Sequence, residues 1–435
     1  MESPILRALV LLFVVAERLN AQSEDADVTV TLEQGSLKGL RIESVRDREL
    51  LAFLGIPYAK PPVGDLRFKN CSVHTGNQQL PEPSEELKAV MVWIHGGCYK
   101  GGSASSIVYG PDHILTEDVV LVTINYRLGL LGFLSLREVG VPGNNGMKDQ
   151  VMALRWVQTN IAKFGGDPNR VTIFGESAGG ASVHFHLLSP MSKGLFHRAI
   201  SQSGSALDPW AYAEPDFMRR KAFRVGERMN CRTSDPQQLL RCFQQATAET
   251  LVNSTIGEVF STSDTVVPVR PTREDGAESD GNVFLPGKPE TLLASGNFHS
   301  VPYITGVNSR EAIVYVKDLM SIPSFWDDHR THIRNVVVDL LNLEDLSVAN
   351  EVADMAVSYY TAEVNQTLLG KYVDLFSDLG FVLGTQRTLK MQAALSTAPV
   401  YSYFFAFDGG LGIAKLALQT QIEEGKGVDR EPARI

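Results

Sequence analysis

The 435-residue chain has no run approaching the ~20 unbroken apolar residues that a membrane-spanning helix needs, so a span is excluded. Positive charge is in deficit. Forty Lys and Arg stand against 50 Asp and Glu, a net −10, which argues against a protein that grips nucleic-acid backbones. Cysteine is scarce at four residues, and no Cys/His cluster shows the spacing of a zinc site, so no metal is expected. No internal repeat is present. With 44% hydrophobic and 21% charged residues, the composition excludes disorder, collagen and coiled coil, and leaves a chain able to bury a large core.

What is present begins with a processing signal. Residues 8–16 (ALVLLFVVA) follow Arg7, and small residues at Ala21 and Ser23 offer a cleavage site. This is the pattern of a secretory signal peptide over residues 1–21, with cleavage as late as 23. The mature chain is therefore expected to be secreted and extracellular. Asn70, Asn253 and Asn365 open N-x-S/T acceptors for glycosylation. Cys231 and Cys242 lie close together in a polar segment, which suits a small surface disulfide, with two free thiols as the alternative. Cys71 and Cys98 have no evident partner.

Short apolar runs rich in β-branched or aromatic residues occupy positions 90–94, 119–124, 171–174, 199–203, 301–306 and 400–407. They read as strands of a mostly parallel sheet covered on both faces. Helical patterns lie between them, as in residues 150–164, where Val151, Leu154, Val157 and Ile161 recur at three- and four-residue steps. This alternation indicates an α/β fold. Residues 270–287, dense in Asp, Glu and Pro, read as a long surface loop.

The chemistry concentrates at Gly175-Glu-Ser-Ala-Gly-Gly180, a G-x-S-x-G lying between a strand and a helical pattern, the context a nucleophile elbow requires. On so tight a turn, a side chain two residues either side of Ser177 would strike the neighbouring strand or helix. Ser177 Oγ is thereby presented at a helix N-terminus, with the NH of Ala178 beside the oxygen on which charge would develop. Trp93-Ile-His95-Gly96-Gly97-Cys98-Tyr99, just after a strand, supplies a glycine run whose NH groups could form the other wall of an oxyanion hole.

Four more segments accompany the elbow in fixed order: residues 53–68 (FLGIPYAKPPVGDLRF), 125–133 (NYRLGLLGF), 143–150 (GNNGMKDQ) and 164–168 (FGGDP). Together they resemble type-B carboxylesterases, the family containing cholinesterases, insect juvenile hormone esterases and the non-catalytic neuroligins. The similarity runs from about Val28 to Gly410. It implies an α/β-hydrolase fold, a mostly parallel central sheet with helices on both faces, in one domain over residues 28–415 followed by a divergent polar tail, 416–435. It implies a small-molecule ester as substrate, no cofactor, Ser177 as nucleophile, Gly96, Gly97, Cys98 and Ala178 around the oxyanion, and Glu311 as triad acid. Ala312 stands where the family has glycine.

Three departures accompany the resemblance. The family takes its histidine from a downstream Gly-x-x-His, whereas the last of the nine histidines here is His332. His329 and His332 read as solvated, and His184 and His186 as packed or supporting groups on the helix after the elbow. Residues 70–79 (NCSVHTGNQQ) stand where the family has a longer segment with a strand, so the sheet is expected to lack a strand and the chain to be truncated. Such a loss would leave backbone groups unpaired. Cys98 occupies the place of the third oxyanion glycine. Three functions follow: an ester hydrolase with doubtful turnover, a catalytically silent binding or adhesion protein, and a carrier that sequesters esters.

Overall fold

In the computed structural model, residues 28–44, 47, 49–70, 86–254, 269–274, 282–315, 331, 334–335, 337–338, 346–361 and 368–407 are described. The signal segment, Cys71, residues 71–79, His329, His332, Asn365 and the 416–435 tail lie outside them.

The β-branched runs pair as expected. β1 (Val28–Leu32), β2 (Gly35–Glu43) and β3 (Glu49–Ala52) form an antiparallel meander at the N-terminal side. The main sheet comprises β4 (Lys88–Ile94), β5 (Val119–Ile124), β6 (Gly166–Glu176), β7 (Arg198–Gln202), β8 (Tyr303–Asn308) and β9 (Val400–Phe405). Its order is β5-β4-β6-β7-β8-β9, and every pairing is parallel. Val90, Val92, Ile94, Val171 and Ile173 have no exposed surface, which is why the central strands read as unbroken apolar runs rather than alternating ones.

This order fixes where a site can form. The chain leaves β4 for β5 on one side and then returns to place β6 on the other, so the sheet changes winding direction between β4 and β6. The crevice at the carboxyl ends of such a pair is the place where doubly wound sheets bind ligands. Ile94 is in register with Gly175 there, which sets the glycine run after β4 beside the elbow after β6.

Three expectations need correction. Helix α1 (Asn145–Asn160) starts five residues before position 150, because its polar first turns are buried with partners. Lys148 contacts Glu274 at 2.7 Å, and Asp149 grips Arg127 through two 2.7 Å bonds. For the same reason the described ends of the 270–287 segment are not surface loop: Arg270, Thr272, Glu274, Phe284 and Leu285 are buried. Finally, among the described residues β9 is not covered on both faces. Tyr401, Phe404, Phe405 and Phe407 are exposed at the end of the sheet.

Helix α2 (Ala178–Leu188) follows the elbow and is buried along its whole length. A second, smaller core gathers Ala312 and Val337 with Ala353 and Val357 of α3 (Leu346–Thr361) and with Tyr372, Leu375 and Phe376 of α4 (Leu368–Ser377). It anchors the turn that carries Glu311. The methyl group of Ala312 packs within it, so alanine is accommodated where the family has glycine. Cys231 and Cys242 are joined in a disulfide with Cα atoms 6.2 Å apart, as their spacing suggested.

Candidate active site

β6 ends at Glu176, and Ser177 turns the chain into α2 with φ +56° and ψ −122°, a conformation that an L-residue rarely adopts. Two backbone bonds hold it there: Ser177 N–H donates to Gln202 O at 2.8 Å, and Ala181 N–H donates to Ser177 O at 2.9 Å. The glycines have the steric role their spacing implied. A Cβ on Gly175 would lie 2.5 Å from Ile94 O, and one on Gly179 would lie 2.0 Å from the same oxygen. Strand, turn and helix can therefore close only without side chains at those two places. Ser177→Gly is expected to raise stability by about 1 kcal/mol, since glycine adopts this turn without strain. Equal or lower stability in chemical denaturation would show that the serine is not strained.

The glycine run after β4 packs directly on the elbow. A Cβ on Gly96 would meet Glu176 O at 2.7 Å, Glu176 Oε2 at 2.8 Å and Ser177 Cβ at 3.1 Å. Gly97, Cys98 and Tyr99 follow with φ of +109°, +56° and +56°. Cys98, half-buried with an unoxidised thiol, thus holds a backbone shape that glycine would take at less cost. Tyr99 is fully buried against Phe133, with ring centroids 5.0 Å apart. The sequence-predicted Gly96, Gly97, Cys98, Ser177 and Ala178 are brought to one place.

Glu311 begins the turn after β8 and is 8% exposed. Asn308 N–H donates to its Oε1 at 2.6 Å and Asn308 Nδ2 to its Oε2 at 3.3 Å, while the same Nδ2 lies 3.4 Å from Ser203 Oγ. Burial raises its pKa, opposed by hydrogen bonds from Ser203 and Asn308. Ala312 N–H donates to Ser377 Oγ at 3.0 Å, fixing the turn to α4.

Glu176 is the residue that the sequence did not single out, because it fills a free position of G-x-S-x-G. Its pKa is raised to about 7, first by loss of water around the carboxylate and then by the charge of Glu311. Tyr109, Tyr126 and Tyr403 also face it, and the two carboxylates help push the Tyr403 phenol up to about 12, after burial.

Among the described residues, no histidine makes a hydrogen bond to Ser177. His95 bonds Gly96 O at 2.8 Å through Nδ1 and stacks on Tyr126 at 4.5 Å. Burial lowers its pKa, so the ring is neutral. His184 Nδ1 accepts Ala206 N–H at 2.9 Å, and His186 bridges Ser192 Oγ at 2.7 Å and Gln150 Oε1 at 2.9 Å. Burial drops both to about 3, so they are neutral packing groups, the reading their helix position suggested. His197 and His299 are used elsewhere, with His197 Nδ1 accepting Val171 N–H and His299 Nε2 bonded to Ser189 O. Asn70 and Asn253 are exposed, Asn253 at the end of a short helix. Among the described residues no His, Cys, Asp and Glu cluster could hold a metal, and no helix is long and apolar enough to cross a membrane.

Comparison with known proteins agrees with this geometry. The model of the carboxylesterase family matches residues 26–79 and 72–412, in two pieces that overlap over residues 72–79. The chain is 32% identical to venom carboxylesterase-6 of Apis mellifera, covering 92% of this chain and 78% of that protein. It is 33% identical to juvenile hormone esterase of Tribolium castaneum (87% and 72%) and 35% identical to acylcarnitine hydrolase of Mus musculus (91% and 76%). The crystal structure of juvenile hormone esterase from Manduca sexta, with OTFP covalently attached, superposes with a TM-score of 0.79 at 27% identity, covering 90% of this chain and 80% of that one.

Proposed function

The chain belongs to the carboxylesterase family and is a carboxylic ester hydrolase of α/β-hydrolase fold, and from that premise we propose that it cleaves small-molecule esters through an acyl-enzyme on Ser177. Ser177 Oγ attacks the ester carbonyl, and the tetrahedral oxyanion is held by backbone NH groups of Gly96, Gly97, Cys98 and Ala178. The alcohol leaves, and water releases the acid. Glu311 is the acid of the family triad. No cofactor takes part. The observation that carries this reading is the strained Ser177 turn with the Gly96 run packed against its Cβ.

Among the described residues no histidine makes a hydrogen bond to Ser177, and an elbow serine working without such a partner would turn over slowly. Loss of the triad histidine in a serine hydrolase costs about 10⁶-fold in kcat. The silent binding protein is the second reading, favoured by the absence of a hydrogen bond from any described histidine to Ser177. Secretion is supported by the residue 8–16 pattern, the Cys231–Cys242 disulfide and the acceptors at Asn70, Asn253 and Asn365.

A fluorophosphonate tests the reading, since it bonds only an activated hydroxyl. Incubation of the full chain is expected to add one phosphonyl group, located to Ser177 by peptide mass mapping and absent from Ser177→Ala. No adduct after prolonged incubation, with the chain folded by circular dichroism, would favour the silent protein.

A further inference from the structure

We propose that the helix Pro215–Arg228, with the disulfide-closed turn that follows it, is a docking surface for a sulfated polysaccharide. The surface takes no residue from the crevice at Ser177, and the choice of a polysaccharide leans on the secretion reading above.

Residues 215–245 carry seven Lys and Arg against three Asp and Glu, in a chain whose net charge is −10. Positive charge is thus concentrated in one stretch, and the remainder is more acidic than the whole. Folding brings that charge to one side. The helix Pro215–Arg228 buries Met218, Lys221, Ala222 and Val225, and exposes Arg220, Arg224 and Arg228. Spaced by four residues, the three arginines follow one another along one face over about 12 Å of helix.

The disulfide extends the row. Cys231 and Cys242 each adjoin an exposed arginine, Arg232 and Arg241, and the bridge holds the two cysteine Cα atoms 6.2 Å apart. Cys231 N–H donates to Gly226 O at 2.8 Å, which fixes the bridge to the last turn of the same helix. Two arginines distant in sequence are thereby set beside the end of the helical row, with their backbone already ordered.

The carboxylates of the stretch offset little of this. Asp216 pairs with Arg137 at 3.3 Å, and Asp235 caps the helix Pro236–Gln245 by accepting Gln237 N–H at 2.8 Å. Glu227 is the third, exposed beside Arg224 and Arg228.

The class of partner follows from what the surface lacks. No large apolar side chain of residues 215–245 is exposed, and Phe223 lies under the Arg219 guanidinium at 4.7 Å, so nothing here enters a bilayer or stacks on unpaired bases. A rigid duplex would bring its phosphates against the acidic remainder of the surface, which a slender polysaccharide avoids. Arginine presents a rigid fork of donors to oxyanions, and a row of such forks fits a chain bearing sulfates at intervals.

Heparin is the probe, used on the full chain near neutral pH. The parent is expected to be retained on immobilised heparin despite its net charge of −10. Its affinity for soluble heparin should fall about tenfold or more between about 50 and 200 mM salt, as counterion release requires. The triple variant Arg220→Ser, Arg232→Ser, Arg241→Ser is expected to bind about tenfold more weakly, or not at all, with its circular dichroism unchanged. Lys193→Ser, Arg198→Ser, Lys390→Ser removes the same charge at exposed positions outside the stretch and should bind within about twofold of the parent. No retention of the parent, or equal losses in the two triple variants, would overturn the proposal, the second by showing that net charge alone is read. Tighter binding to phosphatidylserine vesicles or to duplex DNA than to heparin would overturn it in favour of a membrane or a nucleic acid. Each of these results leaves Ser177 as nucleophile untouched.

Discussion

Lys148→Met is expected to destabilise the protein by about 3–5 kcal/mol, the cost of leaving one member of a buried ion pair alone. Lys148 Nζ contacts Glu274 Oε2 at 2.7 Å, with side chains only 3% and 1% exposed. The other oxygen of Glu274 accepts from Asn144 Nδ2 at 2.8 Å and Phe284 N–H at 3.2 Å, so the carboxylate is held in place and cannot swing toward water when the ammonium is lost. Asn144 is fixed in turn by Thr272, whose N–H it accepts at 3.0 Å and whose carbonyl it reaches at 2.6 Å. A Lys148→Met, Glu274→Gln double variant removes both charges and keeps an amide for Asn144 and Phe284. It should recover much of the loss, because the penalty lies in the orphaned charge rather than in the pair itself. Urea midpoints read with a common slope would measure this. A single variant within 1 kcal/mol of the parent would mean that Glu274 takes a proton or reaches solvent at small cost.

The consequence extends to the crevice. α1 carries Lys148, Asp149 and Gln150 in one turn, and the Gln150 side chain bonds both Ser182 Oγ at 3.3 Å and His186 Nε2 at 2.9 Å on α2. Ser177 immediately precedes α2. Loosening α1 therefore loosens the scaffold that holds the nucleophile, and labelling of Ser177 should decline in proportion to the unfolded fraction.

These polar partners mark the limit of what the sequence discloses. Runs such as residues 171–174 were legible because a strand covered on both faces must be apolar throughout, and no distant partner is needed to see it. The elbow was legible because its glycines answer to local sterics. The start of α1 was not, since Asn145, Lys148 and Asp149 look solvated until Glu274 and Arg127, far along the chain or across a loop, supply their partners. The 270–287 segment misled for the same reason, its acidic residue being the far half of a buried pair. Glu176 was hidden by the motif itself, whose pattern leaves that position free. Only the fold sets Glu311, Tyr403 and Gly96 around it.

Gly179→Ala is expected to prevent stable folding, or to cost more than about 4 kcal/mol, a loss reached by few single substitutions. Gly179 lies in the first turn of α2, where intrinsic preference alone would reward alanine by up to about 1 kcal/mol. Packing opposes it decisively. The new methyl carbon would stand 2.0 Å from Ile94 O, 2.8 Å from Ile94 C and 2.9 Å from His95 O, all backbone atoms at the end of β4. β4 is paired on both sides, by β5 and β6, so it cannot retreat. The helix would have to lift instead, breaking the Ala181 N–H bond to Ser177 O and carrying the serine away from Gly96. Gly380 provides the control. A Cβ there meets nothing within 4 Å, and Gly380→Ala should leave stability within about 1 kcal/mol of the parent. Thermal unfolding of the two variants side by side decides the matter. Equal tolerance would mean that strand and helix at the elbow are not in contact, and the geometric case for Ser177 would go with it.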